Sequence, residues 1–368
     1  MYVEEALKTC YPFKNVLAKK KLGIKEYILY FINNFQRIGK RNREIFMVKG
    51  IVIEEHGGPE VMRWGNVNLE KMGPNDVLIE QSVVGLNYID IYHRSGSYPL
   101  PLPSGIGMEA VGKILDMGEM VKNFQLGDRV GYVMGQPGSY AEQRIYHSER
   151  LIKIPANISD ENAAAMLLKG LTVSYLINRT YQVKINDTVL FHAIAGGVGL
   201  LACQWLKQMG VTVIGTVSNG EKAEIAKKFG CDHIINYNEQ DFSTSVLEIT
   251  EGKGVPIVYD GVGKDTFEGS LKCLSDFGVL ASFGAASGTP PPCPISLLAP
   301  KSLYLTRPGL GPHTATKELT EGIASPLFKA IENGLSIPIN QHYQLKDAAK
   351  AHQDLAARKT VGCSILKV

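Results

Sequence analysis

The sequence of 368 residues predicts an α/β protein in which an all-β, barrel-like unit is joined to a doubly wound parallel sheet. Residues 49–153 contain short apolar runs separated by Gly and Pro, which is typical of a barrel or sandwich. Residues 189–283 alternate between strand and helix patterns, as a parallel sheet with crossover helices does. The remaining tail is too short for a domain, so we expect it to return to the β unit.

The individual elements follow from local apolar patterns. In the β unit, such patterns predict strands at residues 50–54, 76–84, 110–117 and 129–133, and a helix at 160–176. The parallel sheet is predicted to use strands at residues 189–191, 211–217, 233–236, 257–259 and 279–283. The tail is predicted to contain helices at residues 318–333 and 346–358 and a closing strand at 364–368. The proline-rich stretch 289–294 cannot continue a helix or a central strand, and we interpret it as an exposed loop or an interface rim.

A glycine turn joins the first parallel strand to a helix predicted over residues 197–209. Ile194 occupies the first glycine position of the plain GxGxxG pattern, but the spacing survives as Ala193-x-x-Gly196-x-x-Gly199. Such glycines let the backbone approach a pyrophosphate, which the free N–H groups and the dipole of the helix then hold. The sequence therefore predicts a Rossmann-type dinucleotide site. Its phosphate-binding residues are expected to be Gly196, Gly197, Val198 and Gly199.

The end of the second parallel strand indicates which dinucleotide is bound. NAD-specific folds usually carry Asp or Glu there to bind the adenosine 2′-hydroxyl, whereas this chain has Ser218 and no acid. Ser218 can donate to a 2′-phosphate, and Lys222, one helical turn later, can neutralise it. The alternative is that Lys222 is an ordinary solvated lysine. The missing acid favours NADPH.

Charge and cysteine usage exclude several classes of protein. The net charge is +3, but residues 1–46 contain ten Lys and Arg against four Glu, so the remaining residues carry 29 basic and 32 acidic side chains, a balance of −3. The body is therefore not a basic nucleic-acid platform. No apolar run approaches the roughly 20 residues that cross a bilayer. The six cysteines are scattered without a CxxC, which indicates reduced thiols in a cytoplasmic protein.

Residues 1–46 differ in composition from the rest of the chain. They are rich in Lys, Asn, Ile, Tyr and Phe and contain no Ser, and Met47 then opens a clean β pattern. Our hypothesis is that Met47 is the natural start and that residues 1–46 are an upstream extension. The alternative is a basic, disordered arm that binds an acidic partner.

Several motifs, taken in order, resemble the NADPH:quinone oxidoreductases, the zeta-crystallin-like branch of the medium-chain dehydrogenase/reductase superfamily. The resemblance covers residues 47–368. It rests on HGGPEV (56–61), GLNYIDIYHRSG (85–96), GDRVGY (127–132), AAAMLLKGLTVSYL (163–176), HAIAGGVGLLACQWLK (192–207), IVYDGVG (257–263) and LYLTRP (303–308).

The resemblance implies a division into domains and an oligomeric state. A GroES-like catalytic domain is expected over residues 47–170 and completed by 306–368, with a Rossmann NADPH-binding domain over 171–305. It also implies a homodimer formed through the Rossmann units, for which the strand at 279–283 is the candidate for edge-to-edge pairing.

The resemblance also bears on metal. Zinc alcohol dehydrogenases of this superfamily carry Cys and His ligands where this chain has Asn87 and Met108, and the cysteine-rich structural zinc lobe has no counterpart. Three protein ligands are the usual minimum for catalytic zinc, so we predict no metal. Glu109, beside a lost ligand, and Asp260 are interpreted as structural carboxylates.

Without a Lewis acid, a simple aldehyde or alcohol is a poor substrate, whereas a quinone is already electrophilic. The resemblance implies reduction of quinones by NADPH, often in one-electron steps to the semiquinone. One alternative is an NADPH-dependent 2-alkenal or enoyl reductase. Another is a non-catalytic, crystallin-like protein that binds NADPH or RNA. We expect neither nucleic-acid nor membrane partners.

Four residues are predicted to act on the substrate. Asn87 could bind the substrate or the nicotinamide, or could be a structural Asn in a turn. Tyr92 and Tyr98, placed on a loop that lines the cleft, could donate to a quinone oxygen as charge develops, or could be packing aromatics. Arg307 could face the quinone or the cofactor, with a surface ion pair as the alternative.

The remaining cofactor residues come from the same resemblance. Thr172 resembles a threonine near the nicotinamide amide, with a buried core hydroxyl as the alternative. Tyr237 is expected beside the adenosine phosphate, and Phe283 and Gly284 end a parallel strand where open sheets bind ligands. Tyr88 and Tyr92 complete the predicted cofactor site.

Overall fold

The computed structural model describes residues 47–69 and 71–368. The two hypotheses on residues 1–46, an upstream extension or a basic arm, lie outside the described residues. The described strands are β1 (Met47–Ile53), β2 (Arg63–Asn68), β3 (Asp76–Gly85), β4 (Ser104–Gly105), β5 (Glu109–Met117), β6 (Arg129–Val133), β7 (Gln143–His147), β8 (Ile152–Lys153), β9 (Thr188–Phe191), β10 (Thr212–Val217), β11 (His233–Asn236), β12 (Val255–Asp260), β13 (Leu274–Ser282), β14 (Tyr304–Thr306), β15 (Ile339–Gln344) and β16 (Cys363–Lys367).

Helices connect these strands. They are α1 (Tyr88–Ser95), α2 (Asp160–Tyr175), α3 (Gly197–Gln208), α4 (Gly220–Lys228), α5 (Phe242–Ile249), α6 (Phe267–Cys273), α7 (Leu310–His313), α8 (Lys317–Glu332) and α9 (Ala348–Ala356). A π-helical turn, Leu176–Thr180, continues α2, and short 3₁₀ turns lie at Pro59–Val61, Ser148–Arg150, Ile295–Lys301 and Leu345–Asp347.

The β unit consists of two sheets. Strands β2, β1 and β4 form a three-stranded antiparallel sheet, and the larger sheet has the order β15-β16-β3-β5-β6-β8, with β7 also paired to β3. The end of the chain joins the larger sheet, because β16 pairs antiparallel with β3 and places Ile365 opposite Gly85. The apolar core of this unit includes Ile51, Ile79 and Tyr132.

The second unit of structure is a six-stranded parallel sheet in the order β11-β10-β9-β12-β13-β14. Crossover helices link its strands, so the predicted α/β class with a doubly wound sheet is confirmed. The prediction that residues 279–283 supply the edge strand is wrong. Val279 pairs with Ile257 of β12 on one side and with Tyr304 of β14 on the other, so β14 forms the edge. A strand of three residues after a proline-rich loop has too little pattern to be found from sequence.

Helix α2 lies between the two parts and belongs to the core of both. Ser159 caps its N-terminus by accepting from Asn162 N, and 12 of its 16 residues are buried. One continuous apolar cluster contains Val111 of β5, Leu171 of α2 and Leu201 of α3. The helix is continuous across residue 170, where the sequence predicts a domain boundary. The two parts are therefore joined at this position by a buried helix and not by a linker.

The close approach of β3 and β5 gives a test of this packing. Gly112 of β5 faces the backbone of β3, and a Cβ there would overlap the carbonyl oxygen of Glu80. We expect Gly112→Ala to lower the free energy of unfolding by about 1–3 kcal/mol, because the backbone itself must shift. Gly65 of β2 is the matched control, since a Cβ there meets nothing within 4 Å. Equal thermal-unfolding midpoints for the two variants would contradict the register.

Candidate active site

The glycine turn before α3 has the geometry that a phosphate site needs. Ala193 adopts φ 53°, so an alanine here takes the left-handed conformation that glycine usually supplies. A Cβ on Gly199 would overlap the carbonyl oxygen of Ile194, which is why this position must be glycine. The first N–H groups of α3, from Gly197 onward, have no partner within the helix and carry the positive end of its dipole. An anion fits this turn.

One cavity of about 600 Å³ runs from this turn along the sheet and into the β unit. The structure brings every residue that the sequence predicts for catalysis or cofactor binding to its wall. These residues are Asn87, Tyr88, Tyr92, Tyr98, Thr172, Gly196, Gly197, Val198, Gly199, Ser218, Lys222, Tyr237, Phe283, Gly284 and Arg307. Sequence reasoning missed other lining residues, including Lys169, Arg358 and Gly362.

Two cations meet at the end of the cavity near β10. Lys222 Nζ donates to the backbone oxygen of Arg358 at 2.8 Å. Burial lowers the pKa of Lys222, and the neighbouring Arg358 lowers it further. Arg358 lies two residues after the end of α9 and adopts φ 57°. Burial raises the pKa of the Tyr88 phenol, and the charge of Arg358 opposes that rise. Its position depends on the return of the chain to the β unit, so no local pattern identifies it.

Helix α1 presents tyrosines at the other end of the cavity. Tyr92 lies on this helix and not on a loop, which corrects the sequence prediction. Asn87 caps the N-terminus of the helix, where Asp90 accepts a hydrogen bond from Asn87 N at 2.9 Å. Gly96 ends the helix with φ 81°. Tyr98 follows in the turn, and its ring centroid is 5.1 Å from that of Tyr92. The spacing Asn-x-x-Asp is a helix-start signal that the sequence analysis overlooked.

Both tyrosine hydroxyl oxygens accept hydrogen bonds from nitrogen donors. Tyr92 accepts from Ala285 N at 3.1 Å, and Tyr98 accepts from Arg307 Nη2 at 3.2 Å. Burial raises the pKa of Tyr92 to about 12, so this phenol stays protonated at neutral pH. Because each oxygen already accepts from a fixed donor, each hydroxyl keeps its own hydrogen for a ligand.

Arg307 donates hydrogen bonds to the backbone at the end of β13. The alternative prediction for this residue was a surface ion pair. Its Nη1 donates to Ser282 O at 2.8 Å and to Gly284 O at 2.7 Å. The guanidinium therefore links β13 to Tyr98 across the mouth of the cavity. This geometry makes Arg307 a support for Tyr98 as well as a lining residue.

Asn87 lies within a buried polar group. It is 5% exposed, and its Nδ2 donates to Glu109 Oε2 at 2.8 Å. Glu109 Oε1 accepts from Leu168 N at 2.6 Å, and the Lys169 ammonium lies 3.9 Å from Oε2. Burial raises the pKa of Glu109, and the charge of Lys169 opposes that rise. Glu109 is thus a bonded carboxylate that orients Asn87.

Two further residues that the sequence singles out, Thr172 and Asp260, form hydrogen bonds within the protein, and Thr172 also lines the cavity. Thr172 Oγ1 donates to Leu168 O at 2.7 Å, so its oxygen retains acceptor capacity. Asp260 of β12 accepts from Val262 N, Gly263 N and Thr266 Oγ1, which fixes the loop after its strand. This bonding agrees with the structural interpretation of that carboxylate.

Within residues 47–69 and 71–368, no group of three or more His, Cys, Asp or Glu side chains is placed to hold a metal ion. The positions singled out for lost ligands carry the amide of Asn87 and the buried thioether of Met108. Among the same residues, none of the helices has both the length and the hydropathy needed to span a bilayer.

A GroES-like barrel, a Rossmann sheet and a cleft between them define a medium-chain dehydrogenase/reductase. Residues 73–156 match the alcohol dehydrogenase GroES-like domain family, and residues 197–325 match the zinc-binding dehydrogenase family. A quinone oxidoreductase from Pseudomonas aeruginosa is 46% identical over 87% of this chain and 99% of its own length. The chain belongs to the quinone oxidoreductase family, which confirms the predicted resemblance.

Two other relatives are a quinone oxidoreductase with NADPH bound and a 2-haloacrylate reductase. The crystal structure of Escherichia coli quinone oxidoreductase complexed with NADPH has a TM-score of 0.85 and 43% identity, and the match covers 87% of this chain and all of that one. A 2-haloacrylate reductase from a Burkholderia species is 41% identical over 87% of this chain and 99% of its own length.

Asp90 at the start of α1 gives a pH-dependent prediction. Burial raises the pKa of Asp90 to about 7. The hydrogen bonds from Asn87 N and Tyr140 OH oppose this rise in pKa, and the charge of Glu109 adds to it. The folded state therefore holds more protons than the unfolded state from about pH 4 to pH 7, and Asp90 costs stability as pH rises through that window. Asp90→Asn removes this cost.

We expect the difference in thermal midpoint, variant minus wild type, to increase from pH 4 to pH 7 and then to level off. The exposed Asp276→Asn is the control and should show no such trend. A difference for Asp90→Asn that stays flat with pH would contradict the assignment.

Proposed function

We propose that this protein reduces quinones with NADPH. The observation that supports this most strongly is the single continuous cavity, which joins an anion-binding helix start and two cations at one end to hydrogen-bond donors at the other. The family relatives named above, including a quinone oxidoreductase with NADPH bound, support the same cofactor and reaction class.

The preference for NADPH rests on charge at the β10 end. Ser218, Lys222 and Arg358 all line the cavity there, and no carboxylate follows β10 at the position that binds a free 2′-hydroxyl. Two cations beside a hydroxyl suit a 2′-phosphate. Burial lowers the pKa of Lys222, and an anion beside it would offset the cost of the buried charge. Tyr237 and Tyr88 form the adjacent wall for the adenosine.

The substrate end is built to bind an oxygen that gains negative charge. NADPH, when bound, supplies the reducing electrons. Tyr92 and Tyr98 then donate from hydroxyls whose orientation Ala285 N and Arg307 fix, and Asn87 is held in place by Glu109. Fixed donors at the position of developing charge stabilise the transition state without reorganisation. Thr172 and Asn87 are proposed to orient the nicotinamide beside this point.

A quinone suits these residues better than an unactivated carbonyl. The described donor set around Asn87 and Met108 has no three-ligand group for a Lewis acid, so the protein offers hydrogen bonds and charge alone. Quinone carbonyls are conjugated and accept electrons with that degree of help. A conjugated enal is the second candidate substrate. One relative is named a 2-haloacrylate reductase, and a haloacrylate is a conjugated alkene.

We also propose an assembly and a setting for this activity. The grouping of β9 to β14 in one parallel sheet and of the other strands in the barrel supports a Rossmann domain over 171–305 and a catalytic domain over 47–170 and 306–368. A homodimer would pair the edge strand β14, on which Tyr304 and Leu305 are exposed. A reducing, cytoplasmic location suits the five described cysteines, which are all free.

The direct test is steady-state turnover with NADPH or NADH against a 1,4-benzoquinone series and a 2-alkenal series. We expect NADPH-dependent turnover of quinones to exceed that of alkenals by at least about tenfold in kcat/KM. Faster turnover of alkenals would favour the second candidate instead, and no turnover of either series would reject both.

The cofactor assignment has its own variant. Lys222→Ala should raise the KM for NADPH about 10- to 100-fold, since one charge-assisted contact to the phosphate is lost, and should leave the KM for NADH nearly unchanged. Lys227→Ala, which removes an exposed lysine from the same helix, is the matched control. An unaltered NADPH preference in Lys222→Ala would contradict the assignment.

A further inference from the structure

Lys169 of α2 is a buried cation on the wall of the cavity. Its side chain is 8% exposed, and its Nζ has no hydrogen-bond partner among the described residues. An ammonium carries three N–H donors, and burying them unmet costs free energy. A lysine within the apolar run AAAMLLKGL is unusual on these grounds, and it lines the cavity where a ligand can supply the missing acceptors.

The carboxylate beside Lys169 does not meet this need. Glu109 Oε2 lies 3.9 Å from Nζ, which is beyond hydrogen-bond distance, and it already accepts from Asn87 Nδ2 at 2.8 Å. Oε1 accepts from Leu168 N at 2.6 Å. Glu109 thus balances the charge of Lys169 but leaves its N–H groups available.

The Cδ and Cε methylene groups of Lys169 lie against Gly197 at the start of α3. A Cβ on Gly197 would lie 2.8 Å from Lys169 Cδ and 3.0 Å from Cε. The ammonium is therefore confined between the Asn87–Glu109 pair and the helix start. Since α2 is buried, the charge lies on the cavity wall between the start of α3 and the Glu109–Asn87 pair.

We propose that Lys169 is a further catalytic residue, whose ammonium donates a hydrogen bond to the carbonyl oxygen of the substrate. The proposal rests on the quinone reduction proposed above. As electrons reach the quinone, negative charge grows on that oxygen, and a fixed cation in a low-dielectric site stabilises it. Lys169 contributes a hydrogen bond and its charge, and it transfers no atom or electron.

The pyrophosphate of the cofactor is the competing partner for this ammonium. Two features favour the substrate oxygen. The N–H groups at the start of α3 already provide donors for a phosphate, and the carboxylate of Glu109 beside Lys169 repels a dianionic group more than a carbonyl. The experiment separates the two partners.

Lys169→Met keeps the hydrocarbon chain on Gly197 and removes the charge. We expect kcat for quinone reduction to fall about 100-fold, while the Kd for NADPH, from fluorescence titration, changes less than about threefold. Binding to the NADP⁺-loaded protein gives a readout without turnover. The anion of 2-hydroxy-1,4-naphthoquinone should bind at least about tenfold more weakly to the variant, and neutral 1,4-naphthoquinone should bind about equally.

Lys253→Met, at an exposed lysine, is the control and should match wild type in all four measurements. If Lys169→Met does not fold because Glu109 is left unpaired, Lys169→Met/Glu109→Gln removes both charges and should show the same loss of kcat and of anion binding. A kcat within about twofold of wild type in the variant that folds, or a loss of NADPH affinity with kcat intact, would overturn the proposal. A wild-type protein that turns over no quinone but binds the anion through Lys169 would reject the proposed function alone.

Discussion

The structure depends on one buried helix. Helix α2 packs against β3 and β5 of the barrel on one side and against α3 of the parallel sheet on the other, so one apolar cluster extends from the barrel into the parallel sheet. A helix buried on nearly all faces cannot shift without disturbing both sheets. Two of its side chains, Lys169 and Thr172, therefore hold fixed positions on the cavity wall, and the geometry of the site follows from core packing.

This constraint explains how the cavity can serve a ligand with two different ends. At β10, Lys222 and Arg358 come together only because the chain returns to the barrel after α9 and brings Arg358 across. At α1, Tyr92 is bonded to Ala285 N and Tyr98 to Arg307, so residues of the barrel and of the sheet fix each other. Long-range contacts therefore create the two ends of the site, with Lys222 and Arg358 at one end and Tyr92 and Tyr98, the latter supported by Arg307, at the other.

The sequence contains more of the fold than of the site. Periodic apolar runs and glycine spacing found the strands and the turn before α3, because those features are local. Strand β14 has no sequence signal, because three residues carry no periodicity. Asn87 and Asp90 do mark the start of α1, although the sequence prediction places Tyr92 on a loop. Arg358 has no local signal. Lys169 did have one, a charge inside an apolar helix, which becomes informative only once its burial and unmet donors are known.

We propose that one cavity orients NADPH from its 2′-phosphate to its nicotinamide. A crystal structure of the protein with NADPH tests this directly. We expect the 2′-phosphate within hydrogen-bond distance of Lys222 and Arg358, the pyrophosphate on the N–H groups of Gly197 and Val198, and the nicotinamide beside Asn87 and Thr172. A 2′-phosphate that faces solvent, or a nicotinamide outside the pocket formed by Asn87, Tyr92 and Thr172, would contradict it.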